Sequence, residues 1–485
     1  MSGPSLESIL VCGRGLAFEI TLAALAQNLP KSVKLTAIEI QSLPDHDVFY
    51  GNVTSPLAYE FLLRLGLDEP GVLKNTDTVF SYGTSYKNWA DKLSWTQVHH
   101  LAFPVWNNVQ FHQYLRRLNA PLEPYLVNAA AGKEGVFAHP PNDAKIPLSR
   151  AEYGYQFRPQ SLYALLKQQP TPENVTRDSG EIEDIIIQNG EISSVILEDG
   201  RDLSADLFID ATGITGALVS SLDTCASVTR NLAMSEHLTP STSPASVRKV
   251  EGKTYGWQSV TSLQNHNSIL TVSAPEDIDR AKADISGDIH SEFTIAIGRQ
   301  HQGWVGNCVS IGHANTVIEP LTPAPMMMLQ LDIERLLSLI PVTADMSVEQ
   351  QEFNRLLDND REHCEMFNVA FFNIPQNPNT AYWASALSNA KSVKLTRKLT
   401  QFESRGHLTA FDFEPFNEQD WTILHFGLGR TPDRYDPFID NVSEATIRGQ
   451  LDQLQSGIEQ IVKKMPPHGR YIENFLNYLE RKHGR

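Results

Sequence analysis

Residues 6–39 constrain the fold more than any other stretch. Ile9-Leu10-Val11 leads into Cys12-Gly13-Arg14-Gly15-Leu16-Ala17-Phe18, and the chain continues as Glu19-Ile20-Thr21-Leu22-Ala23-Ala24-Leu25-Ala26. An apolar run, a glycine turn and a long apolar-rich segment predict strand, tight turn and helix. A second apolar run, residues 33–38, ends in Glu39, about the separation at which a dinucleotide-binding fold sets its ribose acid. Gly13 has access to backbone angles closed to other residues. Gly15 lets a pyrophosphate reach the main chain, and the helix N-terminus offers free N–H groups to its charge. Glu39 would accept hydrogen bonds from a ribose hydroxyl pair. Phe18 stands where the usual fingerprint has a third glycine, so at this point a βαβ unit of some other α/β protein stays open.

A chain of 485 residues can bury a large core as one two-lobed unit or as two to three domains. Its formal charge of −17 argues against nucleic acid or an anionic membrane as partner, since both call for clustered Lys and Arg. No apolar run approaches the roughly 20 residues of a membrane span, and the first ten residues lack the pattern of a secretory leader, so the expected location is the cytoplasm. Cys12, Cys225, Cys308 and Cys364 form no CxxC pair. Isolated buried thiols are expected, with no metal site.

After Glu39 a turn-rich loop, Gly51-Asn52-Val53-Thr54-Ser55-Pro56, precedes an amphipathic helix over residues 57–65 that Gly66 stops. Residues 79–89 read as one strand. Residues 95–150 show no clear period and predict long loops and short helices, with His99 and His100 as polar loop residues. Residues 159–168 predict a helix. Two strands joined across Asn189-Gly190 carry the strongest short hairpin signal. The strand that follows, Ala205-Asp206-Leu207-Phe208-Ile209-Asp210-Ala211-Thr212-Gly213, is expected to return the chain to the nucleotide sheet, a connection typical of large FAD folds. Residues 230–300 predict a second sheet. Residues 304–313 predict a buried strand, and a helix from about 326 to 340 opens with three methionines expected to pack in the core. From 347 onward the chain reads as mainly helical, with a loop over 413–421.

Several of these segments, in this order, resemble the flavin-dependent tryptophan halogenase family. Its glycine loop corresponds to Gly13 and Gly15, its flavin strap to Gly51 through Pro56, and its characteristic strand to Asp206 through Gly213. Trp304-Val305-Gly306-Asn307-Cys308-Val309-Ser310-Ile311-Gly312, followed by Glu319-Pro320-Leu321, is similar to its second flavin-contacting stretch. The resemblance implies an α/β, FAD-binding Rossmann-type fold of the two-dinucleotide-binding, halogenase and aromatic-hydroxylase kind, with a second sheet. Residues 1–345 would form the FAD-binding domain, carrying an inserted substrate-side sheet at about 95–150 and 220–300. Residues 346–485 would be a helical region covering the substrate site. It also implies FAD, used as FADH2, held by Gly13, Gly15, Glu39 and Asp210 and, at the flavin, by Asn52, Thr54, Gly312, Thr322 and Pro323. Phe103, Trp106 and Trp421 are the expected substrate-stacking residues.

Two departures bear on activity. The family's catalytic lysine, counted from Leu65-Gly66 to Asn88-Trp89, falls on Ser81, and its acidic partner falls on Thr322. In the resembled enzymes reduced FAD, O2 and halide give hypohalous acid, which the lysine holds against an electron-rich ring. A serine hydroxyl carries no charge and forms no amine adduct. Losing a positioned acid or base costs on the order of 10² to 10⁴ in rate. The favoured expectation is therefore an FADH2- and O2-dependent monooxygenase for an indole- or phenol-like substrate, with Ser81 and Thr322 at the catalytic positions. The alternatives are a halogenase with a displaced catalytic group, for which Lys74 and Lys87 are the nearby amines, and a non-catalytic flavin-binding protein. No second dinucleotide motif is visible, so a separate flavin reductase is the expected partner. A homodimer is also allowed.

Overall fold

The computed structural model describes residues 6–483 apart from 90–92, 223, 242, 286, 344, 375–377, 379 and 389–391. The start of the stretch read for a leader, residues 1–5, lies outside the described residues. Strand β1 (Ser8–Gly13), helix α1 (Gly15–Asn28) and strand β2 (Lys34–Glu39) form the expected opening unit. β1 runs parallel to both β2 and the strand Leu207–Ala211, with Gly13 in register with Glu39 and Ala211. A Cβ on Gly13 would lie 2.2 Å from the Ala211 carbonyl oxygen, so only glycine admits this pairing. Ile9, Leu10 and Val11 are all buried, as parallel strands covered on both faces require.

The six-stranded sheet runs in the order Trp304–Val305, Cys308–Ser310, Leu207–Ala211, β1, β2, Val175–Ser179. The hairpin across Asn189-Gly190 forms, with φ of 54° and 83° at those residues and Gln188 opposite Glu191. The return to the nucleotide sheet occurs as expected, although the strand is shorter than the sequence run, spanning Leu207–Ala211.

A second, eight-stranded sheet holds strands from 226–300, the short strand Thr316–Val317, and β4 (Gly83–Trp89) and β5 (Leu93–Val98) at the far edge. Two expectations change here. The run 79–89 is broken: β3 (Val79–Ser81) pairs with Gly154–Gln156 in a separate ribbon, and the chain crosses into the large sheet at Gly83. Gly83 has φ of +142°, and a Cβ there would sit 2.1 Å from the Gln97 carbonyl oxygen, so glycine sets the crossing point. The stretch 95–150 adds only β5 to that sheet. The remainder holds a small ribbon and the helices Phe111–Leu118 and Val127–Glu134, because its apolar positions face the core at helical spacing.

The helices Ala324–Ser338 and Ser347–Ala370 follow the sheets. Met326, Met327 and Met328 are all buried. The loop expected over 413–421 is shorter, because the helix Glu418–Gly427 starts at an Asn417–Asp420 capping box. Cys12, Cys308 and Cys364 are buried free thiols as expected, whereas Cys225 is exposed.

Candidate active site

The glycine turn after β1 aims the N-terminus of α1 at the end of the six-stranded sheet. That helix has no acidic residue in its own first turn, so its N–H dipole is met by a group from elsewhere in the chain. Glu39 ends β2 beside it. Its carboxylate accepts from Lys167 Nζ at 2.7 Å and from Tyr163 Oη at 3.1 Å, and these donors hold its pKa down against the effect of burial.

One residue at the turn was missed by the motif. Asp47 Oδ2 accepts the Leu16 N–H at 2.7 Å, and the carboxylate lies 2.6 Å from where a Gly15 Cβ would be. Burial, reinforced by the charge of Asp45, pushes its pKa up to about 8.

Further along, Asn52 is fully buried and donates to the Phe157 carbonyl at 3.0 Å, but its Oδ1 has no partner. Thr54 Oγ1 accepts the Tyr155 N–H at 2.9 Å. Gly312 donates its N–H to Asp332 at 2.9 Å, and the next residue, His313, stacks on Tyr50 at 3.8 Å with Nε2 unpaired. Buried polar atoms without partners are uncommon. Their occurrence in the same lobe as the glycine turn and the α1 N-terminus fits a long polar cofactor.

Asp210 is a correction. Its Oδ1 accepts from Thr212 N–H at 2.9 Å and Thr212 Oγ1 at 2.7 Å, and its Oδ2 from the N–H groups of Leu218 and Val219 at 2.9 and 2.8 Å. The carboxylate is spent on its own loop and has no capacity left for a cofactor.

A cavity of about 190 Å³ opens between the strap, β4, β5 and the C-terminal helices. Its wall combines Tyr86, Met327, Phe367 and Phe416 with Ser55, Gln97, His99, Glu152, Thr322, Pro323 and Asp420. Phe367 and Phe416 stack at 3.9 Å. Thr322 hydrogen-bonds to Asn368 Oδ1 and accepts the Ala324 N–H at 3.2 Å, which opens the helix Ala324–Ser338.

His99 is a loop residue just past β5, as expected, and it also lines the cavity. Burial pulls its pKa down to about 4, only partly opposed by a hydrogen bond to the Thr54 backbone. The ring is therefore neutral, and one nitrogen remains an acceptor. Burial raises Glu152. Burial first, then the charges of Glu152 and Glu414, push Asp420 up to about 7.

The other expected residues separate. Ser81 is fully buried, with Oγ 3.3 Å from the Gly83 carbonyl oxygen, and does not line the cavity. Phe103 and Trp106 line a different cavity, on the far side of His100. Trp421 lies in the core, its Nε1 donating to Glu414 at 2.7 Å and its ring packed edge-on against Phe367. Lys74 pairs with Glu480 at the surface, and Lys87 lines a groove elsewhere, so neither supplies an amine to this cavity. Among the described residues no cluster of His, Cys, Asp or Glu could hold a metal ion.

A sequence profile of the family described as tryptophan halogenase matches residues 8–444. The chain belongs to the tryptophan halogenase family. Its cofactor is FAD, used as FADH2, and it is an enzyme that depends on a separate flavin reductase. It is 22% identical over 434 residues to the tryptophan 6-halogenase ThaL of Streptomyces albogriseolus, spanning 80% of this chain and 81% of that protein. In fold it is similar to BrvH, a flavin-dependent halogenase from Brevundimonas sp. BAL3, with a TM-score of 0.89 at 24% identity over 97% of this chain and 100% of that one. It is also similar to Xcc4156, a flavin-dependent halogenase from Xanthomonas campestris, with a TM-score of 0.88 at 21% identity over 97% and 98% of the two chains. At these identities the structural likeness establishes the fold. The α/β, FAD-binding architecture expected from the sequence is therefore shown. Among the described residues no helix is long and apolar enough to cross a membrane.

Proposed function

We propose that this protein halogenates an electron-rich aromatic compound bound in the cavity beside Thr322 and Pro323. The observation that carries the reading is that cavity: its wall joins the aromatic side chains Tyr86, Phe367 and Phe416 to polar groups that include His99, Glu152 and Asp420, in a chain of the halogenase family. Gly13, Gly15 and Glu39 hold the adenosine diphosphate half of FAD. Asn52, Thr54, Gly312, Thr322 and Pro323 border the flavin half.

Bound reduced FAD with O2 supplies the oxidising equivalent. The protein's share is to exclude water, orient the ring and take the proton that ring substitution releases. His99 suits the last task, since its ring is neutral and one nitrogen is free to accept. Its low basicity is no obstacle, because a ring carbocation is strongly acidic. Thr322 keeps a hydroxyl where the family has a carboxylate, and that hydroxyl is engaged with Asn368.

A second reading is oxygen transfer to the ring without halide. It is favoured by Ser81 in the lysine position and by a cavity wall without Lys or Arg among the described residues. Turnover with chemically reduced FAD, O2, excess bromide and an indole and phenol panel, read by mass spectrometry, separates the two. A brominated product is expected. An oxygenated product that persists when bromide is omitted would replace halogenation with oxygenation.

A further inference from the structure

Among the described residues, Glu152 and Asp420 are the only acidic or basic side chains on the cavity wall besides the histidines. Glu152 makes no side-chain hydrogen bond or ion pair among them. Asp420 Oδ2 accepts the Asn417 N–H at 2.8 Å within the capping box, and that is its one side-chain bond among the described residues. The nearby Glu414 has partners of its own: Lys398 Nζ lies 2.9 Å from its Oε2, and Trp421 Nε1 donates to its Oε1. Glu152 and Asp420 have no such cation. Two neighbouring carboxylates in a partly buried site favour either a shared proton or a bound positive group.

An independent feature of the same wall points to a ligand. Ser55 is 7% exposed, and its Oγ has no hydrogen-bond partner. A buried hydroxyl without a partner is costly unless something supplies one. The aromatic part of the wall, with Tyr86, Phe367 and Phe416, is built for a flat apolar group. No Lys or Arg among the described lining residues could pair with a carboxylate on the ligand.

We infer that the substrate is an aromatic amine, its ring on the Tyr86, Phe367 and Phe416 side and its ammonium group between Glu152 and Asp420. This rests on the aromatic-substrate reading above and narrows it. The corresponding amino acid is disfavoured, because its carboxylate would be buried beside two acids.

Calorimetric titration of the full-length chain tests this with four probes sharing one ring: tryptamine, 3-ethylindole, indole-3-propionate and tryptophan. Tryptamine should bind about tenfold or more tighter than 3-ethylindole, and the two carboxylate-bearing probes more weakly than either. Glu152→Gln and Asp420→Asn should each remove most of the preference for the amine while leaving 3-ethylindole affinity unchanged. Glu152 has no bond to lose on amidation, and the amide oxygen introduced by Asp420→Asn still accepts the Asn417 N–H, so both variants keep the fold. Equal affinity for tryptamine and 3-ethylindole, or a preference that survives both substitutions, overturns the inference and leaves the aromatic-site reading standing. Failure of all four probes to bind overturns both.

Discussion

At the scale of single residues, the buried carboxylates divide by what surrounds them. Asp210 is saturated by four donors and serves its own loop. Asp210→Asn turns a donor toward N–H groups that need an acceptor, and should cost about 1–3 kcal/mol in urea unfolding without altering FAD affinity in the folded fraction. Asp47 is different, because it accepts a single bond beside the glycine turn. With a pKa of about 8 it is mostly protonated at neutral pH, and Arg14 nearby pulls only weakly the other way. As a raised acid, its contribution to stability is fully present below its ordinary value of 3.8 and is lost as pH rises through 8. The same ionisation sets an anion against the pyrophosphate. FAD affinity, followed by flavin fluorescence, should therefore weaken by about tenfold per pH unit above 8. Asp47→Asn should hold it level to about pH 9. A wild-type affinity that stays flat over that range would show that Asp47 turns away when the cofactor binds.

At the scale of elements, the segment that carries Thr322 and Pro323 is anchored by its predecessor. Glu319 is buried, paired with Arg230, hydrogen-bonded to Tyr382, and accepts from Trp257 Nε1 at 2.7 Å. One carboxylate thus ties the strands Ala226–Pro240 and Gly256–Ser262 to the helix Ala381–Ser388, while Pro320 packs 3.1 Å from the Gly51 Cβ position of the strap. Removing one member of a buried charge pair leaves the other unpaired. Glu319→Gln should destabilise by about 3 kcal/mol, and Trp257→Phe by about 1 kcal/mol, in the same unfolding measurement. Arg230 also lies over the rings of Phe372 and Tyr382. Loss of its partner should thereby loosen the far side of the flavin-end loop before it reaches the cavity. A Trp257→Phe cost equal to that of Glu319→Gln would mean that the indole, and not the ion pair, fixes this junction.

At the scale of the whole molecule, the six-stranded sheet has among the described residues one strand, β1, that leads through a glycine turn directly into a long helix, α1. The eight-stranded sheet carries no such turn among the described residues and supplies a cavity wall instead. A second dinucleotide thus has no comparable cradle there. The purified chain should not oxidise NADPH by itself with FAD and O2 present, and adding a flavin reductase should start turnover. Absorbance at the nicotinamide band checks this directly, and rapid NADPH loss without a reductase would overturn it.

The sequence alone determined the opening βαβ unit, the Asn189-Gly190 hairpin and the family, since each rests on local periodicity or turn chemistry. A glycine turn and a run of apolar residues act over a few positions, so they are legible without the fold. Tertiary structure decided which side chains share the cavity. His99 from just past the end of β5, Glu152 from a loop, Thr322 from the flavin-end segment and Asp420 from a capping box lie far apart along the chain. No sequence spacing links them, and only the Asn417-x-x-Asp420 cap left a local trace. Phe103, Trp106 and Trp421 carried the aromatic chemistry expected of a substrate site. Where an aromatic side chain points depends on the packing of distant elements, and here that packing directs them elsewhere.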